Sequence, residues 1–349
     1  MFNGLILAFS VIFSTLALCY SFTAETVQDG EAPVRKVCFV LDPSFQREGA
    51  EIASSLNIPY LQPDDVNDKF LDVDHLLRLV PYPVGNDHMT YALVLESVMD
   101  RSDGLHQEDS KLTTRRKKPK QKQNPFFIDL CPNDTNRIGR RGVQDGGSDL
   151  LVKAVGPRKG SNDEKQGAII YDLTAGLGQD AVVLARNGAQ QVHMMERDPI
   201  VAALLHDALR RLEVVSSSPG LEDRANLALE LSKKLFLHPG DSVDVMSEIL
   251  QSGQAPPPDI TYLDPMFPPR TKSAKVKKGM AILHDILDTQ DTDPDSERRR
   301  LQDETGLLEK AYNIATRRVV VKRPIHALRL GGESTLRPSY AIEGSGNRW

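Results

Sequence analysis

From Ala168 onward the chain alternates short apolar runs with amphipathic stretches, and this alternation constrains the fold more than any other feature. The apolar runs lie at 168–173, 190–195, 235–238, 260–263 and 318–321. They have strand length, and a strand apolar on both faces must be covered on both. The pattern therefore predicts a parallel sheet with helices on each side. The helix signals agree. Asp198-Pro199 supplies an N-cap followed by a proline at the first helical position. Ile200-Val201, Leu204-Leu205, Ala208-Leu209 and Leu212 then form an apolar stripe, and Gly188 stands where a glycine closes the preceding helix. The acidic stretch 285–305 is compatible with helix or loop, and no internal repeat is visible.

The first part of the chain is less regular. Arg35 to Leu41 reads as a short buried strand, Gln46 to Leu56 as a helix, and Tyr91 to Leu95 as a second strand. Residues 101–125 lack hydrophobic periodicity, and Lys111 to Lys122 holds seven basic residues and no acidic one. Such a run is either a solvated insertion or an arm that touches RNA. Met1 to Ala24 carries no charge, and Leu5 to Tyr20 is a nearly unbroken apolar run. It is shorter than the roughly 20 residues of a membrane span, so it reads as a signal-like or targeting leader. A membrane anchor and a misassigned start are the alternatives. The expected layout is a leader at 1–24, a small α/β subdomain at 25–100, the basic insertion at 101–125 and a main domain at 126–349.

Net charge is −5, which excludes a generally basic nucleic-acid coat and leaves only local patches for such contacts. Three cysteines without a CxxC pair, and eight histidines without ligand spacing, point away from a disulfide scaffold and from a metal site.

Three constellations carry chemistry. Tyr171-Asp-Leu-Thr-Ala-Gly-Leu-Gly-Gln-Asp180 ends the first strand of the sheet. Gly176 and Gly178 permit a tight turn and a close ligand approach at the strand's carboxyl end, although the turn alone does not choose the ligand. Glu196 follows the next strand about twenty residues later, where a carboxylate can accept hydrogen bonds from both ribose hydroxyls of an adenosine-type ligand. The strand Ile260 to Leu263 runs into Asp264-Pro265-Met266-Phe267-Pro268. This resembles the Asp/Asn-Pro-Pro-aromatic motif of methyltransferases that modify exocyclic amines of bases. A base amine is a poor nucleophile because its lone pair is delocalised into the ring. A carboxylate and a backbone carbonyl accepting its two N–H groups can aim that lone pair, and an aromatic ring three residues on can stack on the base. Basic residues follow at Arg270, Lys272, Lys275, Lys277 and Lys278. Arg317-Arg318 and Lys322-Arg323-Pro324 bracket the last strand. Placed at the sheet's carboxyl edge, both groups would form a phosphate-binding rim.

Asp172-Leu-Thr-Ala-Gly-Leu-Gly-Gln-Asp-Ala181, Met195-Glu-Arg-Asp-Pro-Ile-Val-Ala-Ala-Leu-Leu205, Tyr262-Leu-Asp-Pro-Met-Phe-Pro268 and Arg318-Val-Val-Val-Lys-Arg-Pro324 resemble the ribosomal small-subunit methyltransferase J family. The similarity spans roughly 126–349, with a looser match at 35–95. Several departures are visible: Gln179 stands where the family is usually basic, Pro239 to Ser242 matches only loosely, and the leader and the basic insertion at 101–125 are extra.

The resemblance implies a class I methyltransferase fold: a Rossmann-like α/β domain whose mostly parallel sheet has seven strands and helices on both faces, plus the small N-terminal subdomain. It implies S-adenosylmethionine as donor, S-adenosylhomocysteine as product, and a guanine N2 of small-subunit ribosomal RNA, free or in the assembled subunit, as acceptor. Donor contacts are expected at Asp172, Gly176, Gly178, Gln179, Asp180, Glu196, Arg197, Asp241, Ser242 and Asp264. Asp264 would orient the amine and Phe267 stack on the base, while Lys272, Lys275, Lys277, Lys278, Lys322 and Arg323 would meet the RNA. Transfer to another acceptor, such as transfer RNA or a small amine, and an idle RNA-binding assembly factor are the competing readings. An RNA enzyme with a leader points to a plastid or mitochondrion, and to the cytoplasm if the start is misassigned. No stable membrane partner is expected once a leader is removed.

Overall fold

The computed structural model describes residues 37–61, 75–84, 89–97, 125–131, 150–156, 167–265, 296–330 and 336–349. The leader, the basic run from Lys111 to Lys122, Phe267, Lys272, Lys275, Lys277 and Lys278 lie outside these residues. The chain divides into two compact units, with a boundary between Phe127 and Ile128; the short stretch Pro83–Thr90 groups with the second.

In the first unit, β1 (Val37–Val40) leads through a 3-10 turn into α1 (Gln46–Ser55), and β2 (Tyr60–Leu61), β3 (His75–Pro83) and β4 (Met89–Ser97) complete a sheet of order β2-β1-β3-β4. Asp42 caps the turn by accepting from the Ser44 amide at 2.8 Å. Cys38, Phe39, Leu76, Leu77, Leu93 and Leu95 are buried and form its core. The sequence pattern does not reveal β2, only two residues long, or β3, where Pro81 and Pro83 argue against a strand. The register explains their tolerance. β1 pairs only with His75 to Arg78, so both prolines lie past the stretch that needs amides on that side.

The second unit begins with α2 (Leu150–Val155). It then runs β5 (Ile169–Asp172), α3 (Gln179–Arg186), β6 (Gln191–Glu196), α4 (Pro199–Ser216), α5 (Glu222–Lys234), β7 (Leu235–Pro239), α6 (Ser242–Ser252), β8 (Ile260–Leu263), α7 (Ser296–Ile314) and β9 (Arg318–Val321), closing with β10 (Arg323–Pro324) and β11 (Asn347–Arg348). Strands β5 to β9 form one wholly parallel sheet of order β7-β6-β5-β8-β9. Tyr171, Met195 and Leu263 pack with Met246 and Ile249 of α6 and Leu308 and Ala311 of α7. Other sheet residues, such as Met194, lie by Leu205 of α4. Helices therefore cover both faces. α4 starts as its sequence predicts: the Asp198 carboxylate accepts from the amides of Ile200 and Val201, both at 2.9 Å. Its stripe Val201, Leu204, Leu205, Ala208 and Leu212 is buried, and burying each large side chain contributes about 1.5–3 kcal/mol.

Seven strands are expected from the family pattern, and the described residues hold five in the main sheet. Beyond Val321 the chain leaves the sheet: β10 pairs antiparallel with β11 in a separate ribbon, through Arg323 opposite Arg348 and Pro324 opposite Asn347. Pro324 has no amide to continue the β9 ladder.

Strand order reverses between β5 and β8. Successive strands β5, β6 and β7 step one way, whereas β8 and β9 lie on the other side of β5. The connections from the carboxyl ends of β5 and β8 must therefore diverge, opening a crevice where such sheets take their ligands.

Candidate functional site

That crevice is built on one loop. After β5 the chain turns through Thr174, Ala175 and Gly176 into α3. Gly176 has φ +52°, a conformation that costs a side-chain-bearing residue energy, and a Cβ placed there would meet only the Thr174 carbonyl oxygen at 3.9 Å. The space above the turn is thus open. The Gly176 amide donates to Glu196 Oε2 at 2.8 Å, and the Asp198 amide donates to Glu196 Oε1 at 2.8 Å. These two bonds aim the carboxylate at the turn, and each oxygen keeps a further lone pair for a ligand.

The same loop holds the end of β8. The Asp264 amide donates to Thr174 Oγ1 at 2.6 Å, and the Thr174 amide donates to Asp172 Oδ1 at 3.3 Å. Thr174 thereby ties the end of β8 to the glycine turn, a role that no signal in the sequence marks.

A second tie crosses the crevice. Lys322 Nζ donates to Asp180 Oδ2 and to Asp264 Oδ2, each at 2.7 Å, and the Tyr262 hydroxyl donates to Asp180 Oδ2 at 2.6 Å. One ammonium thus holds two carboxylates that lie no further apart than twice that distance. The register could have revealed it: Leu263 pairs with Val321, so the residues that follow, Asp264 and Lys322, leave adjacent strands side by side.

Burial governs the protonation of this cluster. Asp172 is 1% exposed and its carboxyl is pushed up to about 8, by burial first and by the charge of Asp180 second. Burial lifts Glu196 to about 7 against the pull of its two amide bonds. Asp264 is raised by burial although Lys322 opposes the shift. For Lys322 the balance is reversed: burial would lower it, but Asp180 and Asp264 together hold it above its ordinary value. Tyr262 is pushed well above its usual range by burial and by the surrounding carboxylates.

Other expected residues take different places. Gly178, read as a donor contact, is buried; a Cβ there would meet Leu205 Cδ2 at 2.9 Å, so its bareness lets α3 pack against α4. Gln179 is exposed at the start of α3, and Arg197 is exposed just after β6. Asp241 caps α6 through the Val243 amide at 2.9 Å, and the buried Ser242 hydroxyl donates to the Leu173 carbonyl at 2.6 Å, bracing the glycine turn from behind.

The basic rim needs correction. Lys322 is spent on two carboxylates, and Arg323 is buried, donating to the Leu328 carbonyl at 3.1 Å with Glu304 Oε1 at 3.8 Å. Arg317 and Arg318 are not at the carboxyl edge at all. Arg318 pairs with Ile260, the first residue of β8, so it lies at the opposite edge of a parallel sheet.

Against known proteins, residues 89–349 match a family described as "Putative SAM-dependent methyltransferase". The Ribosomal RNA small subunit methyltransferase J of Shewanella denitrificans is 38% identical over 210 residues, covering 60% of this chain and 71% of that protein. Its namesake from Aliivibrio fischeri is 34% identical over 266 residues, covering 73% of this chain and 91% of the relative. Among solved structures, a SAM-dependent methyltransferase from Neisseria gonorrhoeae superposes with a TM-score of 0.53 at 24% identity, covering 89% of this chain and 93% of the other, a likeness of fold.

Proposed function

The chain belongs to the ribosomal RNA small subunit methyltransferase J family of S-adenosylmethionine-dependent methyltransferases, and from that premise we propose that it methylates the exocyclic N2 of a guanosine in small-subunit ribosomal RNA. The observation that carries this reading is the Thr174 bridge, which fixes Asp264 to the loop that also holds Glu196. A group bound over the glycine turn and a group bound at Asp264 are then neighbours by construction.

The residues fit a cationic, ribose-bearing donor. Open space lies above Gly176, Glu196 offers free lone pairs beside it, and a cation bound there would draw the burial-raised carboxyls of Asp172 and Asp264 toward their charged forms. Glu196 holds the ribose hydroxyls, while Asp172 and the Gly176 turn hold the rest of the donor. When bound, S-adenosylmethionine supplies an electrophilic methyl group on a sulfonium.

Asp264 accepts one N–H of the guanine amine, and the Pro265 carbonyl accepts the other. The lone pair is thereby turned out of conjugation and toward the donor side of the crevice. Phe267 supplies the stacking face for the base. Transfer would break the bond between the methyl group and sulfur, leaving the neutral thioether S-adenosylhomocysteine, as the new N–C bond forms and the nitrogen sheds a proton. Asp264, raised by burial, is placed to take it. Most of the rate comes from holding two reactants in line, aided by fixed acceptors around the amine. The uncharged leader is, on this reading, an address for a ribosome-bearing organelle, and a fluorescent fusion of residues 1–60 found outside such an organelle removes that part.

The test is methyl transfer from radiolabelled S-adenosylmethionine to three acceptors: small-subunit ribosomal RNA, isolated small subunits and transfer RNA. Label at guanine N2 in either of the first two supports the proposal. Label confined to transfer RNA, or binding of the donor without transfer, overturns it.

A further inference from the structure

A second concavity lies away from the crevice, in the same unit. It is a groove of about 440 Å³ along the open side of β9, between that strand, α7 and the 336–349 segment. Among the described residues β9 is the last strand of the sheet, so this side has no neighbouring strand. The floor is apolar, made by Val319, Val321, Leu308, Leu330 and Leu336.

The walls are basic. Arg317, Arg318, Arg329, Arg337 and Arg348 line the groove, and none of the described side chains lining it is acidic. This is unexpected in a chain of net charge −5. Arg318 and Arg348 have framework duties: Arg318 donates to the Ala154 carbonyl at 2.9 Å, and Arg348 to the carbonyls of Ile325 and Ala327 at 2.9 and 2.6 Å. Arg329 and Arg337 are exposed at the mouth. Guanidinium groups gathered this closely repel one another. Arg317 donates to the Gly156 carbonyl, and burial and the charge of Arg318 hold it below its ordinary value against the pull of Asp259. An anion would relieve that repulsion.

Two rings complete the wall. Tyr312 is 59% exposed and Tyr340 60% exposed, large aromatic surfaces left in water beside the arginines. The Arg318 guanidinium donates to the Tyr340 hydroxyl at 3.1 Å and holds that side chain against the groove.

We propose that this groove binds a short unpaired segment of the RNA substrate, with phosphates on the arginines and bases on Tyr312, Tyr340 and the apolar floor. Cationic walls with exposed rings are the elements that single strands need, because every base has a face to stack and every phosphate a charge to neutralise. An acidic peptide would use the arginines but not the rings. The four residues of β9 span about 13 Å at about 3.3 Å each, which is room for about four stacked nucleotides at about 3.4 Å apiece. The inference rests on the ribosomal RNA reading for its substrate but not for its chemistry. Such a site would anchor the RNA away from the reacting base and add affinity without touching the methyl donor.

Binding of fluorescein-labelled dodecauridylate by the full chain, measured by anisotropy from 50 to 300 mM salt, tests it. Arg329→Glu/Arg337→Glu should weaken binding about tenfold or more and flatten the log–log salt slope by about 1.4, at about 0.7 per phosphate contact. Arg329→Lys/Arg337→Lys should keep the slope, and Tyr312→Ala should weaken binding about tenfold with the slope unchanged. S-adenosylmethionine affinity, by calorimetry, should be equal in all forms and also certify folding. An unchanged slope in the double Glu variant overturns the proposal, as does capture of poly-glutamate in preference to the oligonucleotide. If the parent transfers methyl to small-subunit RNA while the groove variants bind RNA as it does, only the groove proposal falls. If the parent transfers no methyl to that RNA but the variants lose oligonucleotide binding, the groove stands and the substrate assignment falls.

Discussion

Two places in the second unit carry opposite charge. The crevice at the carboxyl ends of β5, β6 and β8 holds the carboxyls of Asp172, Asp180, Glu196 and Asp264, with the Lys322 ammonium between Asp180 and Asp264. The groove beside β9 gathers Arg317, Arg318, Arg329, Arg337 and Arg348, with no acidic side chain among its described lining. Only a few residues of one strand separate them, since β9 has Lys322 just beyond one end and Arg318 at the other. A modest net charge thus conceals two local fields. The acidic one suits a cationic small molecule, and the basic one suits a polyanion. Neither would be found from overall composition, because each cancels the other in the sum.

The comparison breaks most sharply at Asp264. Asp264→Ala should cut methyl transfer in single turnover by about a hundredfold or more, about 3 kcal/mol of transition-state stabilisation, with oligonucleotide binding at the groove unchanged. Transfer at the parent's rate by a folded variant would reduce the Asp-Pro turn to a structural element.

Lys322 comes next. Its charge lowers Asp264, so Lys322→Ala should raise the Asp264 pKa further and move the acidic limb of the rate profile to higher pH. The neutral-pH rate should fall about tenfold and recover in part on the alkaline side, with Lys322→Arg close to the parent. A rate loss of equal size at every pH would mean that the lysine only braces the fold.

Glu196→Ala sharpens the donor half. Calorimetry should show S-adenosylmethionine affinity weaker by about 1–3 kcal/mol, since the amides of Gly176 and Asp198 lose their acceptor as well. An unchanged affinity would remove Glu196 from the donor site.

The smallest effect is on stability. Asp172 and Glu196 titrate near 8 and 7 in the folded chain and near 4 when unfolded, so the folded state holds more protons between those values and loses stability as pH rises through them. His193 and His238 act in the opposite sense. Burial lowers both to about 4, so they add stability as pH rises, but only up to their unfolded value near 6.5. Between pH 6.5 and 8 the carboxylates act alone. The melting temperature should decline by a few degrees across that window, and Asp172→Asn should flatten the decline. A rising melting temperature there would contradict the assigned burial of Asp172.

Much of the architecture is legible in the amino-acid sequence alone. The five apolar runs correspond to β5 to β9, displaced by a residue at some ends, because strands buried on both faces leave a continuous apolar signature that needs no partner to be recognised. The Asp198-Pro199 start of α4, the Gly176 turn, Glu196 at the end of β6 and Asp264 at the end of β8 are likewise local, set by capping, backbone freedom and strand position. What only tertiary structure decided was the company each residue keeps. The lysine in Val-Val-Val-Lys-Arg-Pro reads as an RNA contact, and only the register sets it against Asp264. Arg317 and Arg318 read as neighbours of Lys322 until the parallel strand carries them to the far edge. Gly178 reads as a ligand contact, and only the fold shows that Leu205 of α4 leaves no room for a side chain there. Hydrophobic period and turn chemistry act over a few residues and are written in the chain. Electrostatic partnership acts across strands that meet only after folding, so the sequence lists the charges and the register decides which of them meet.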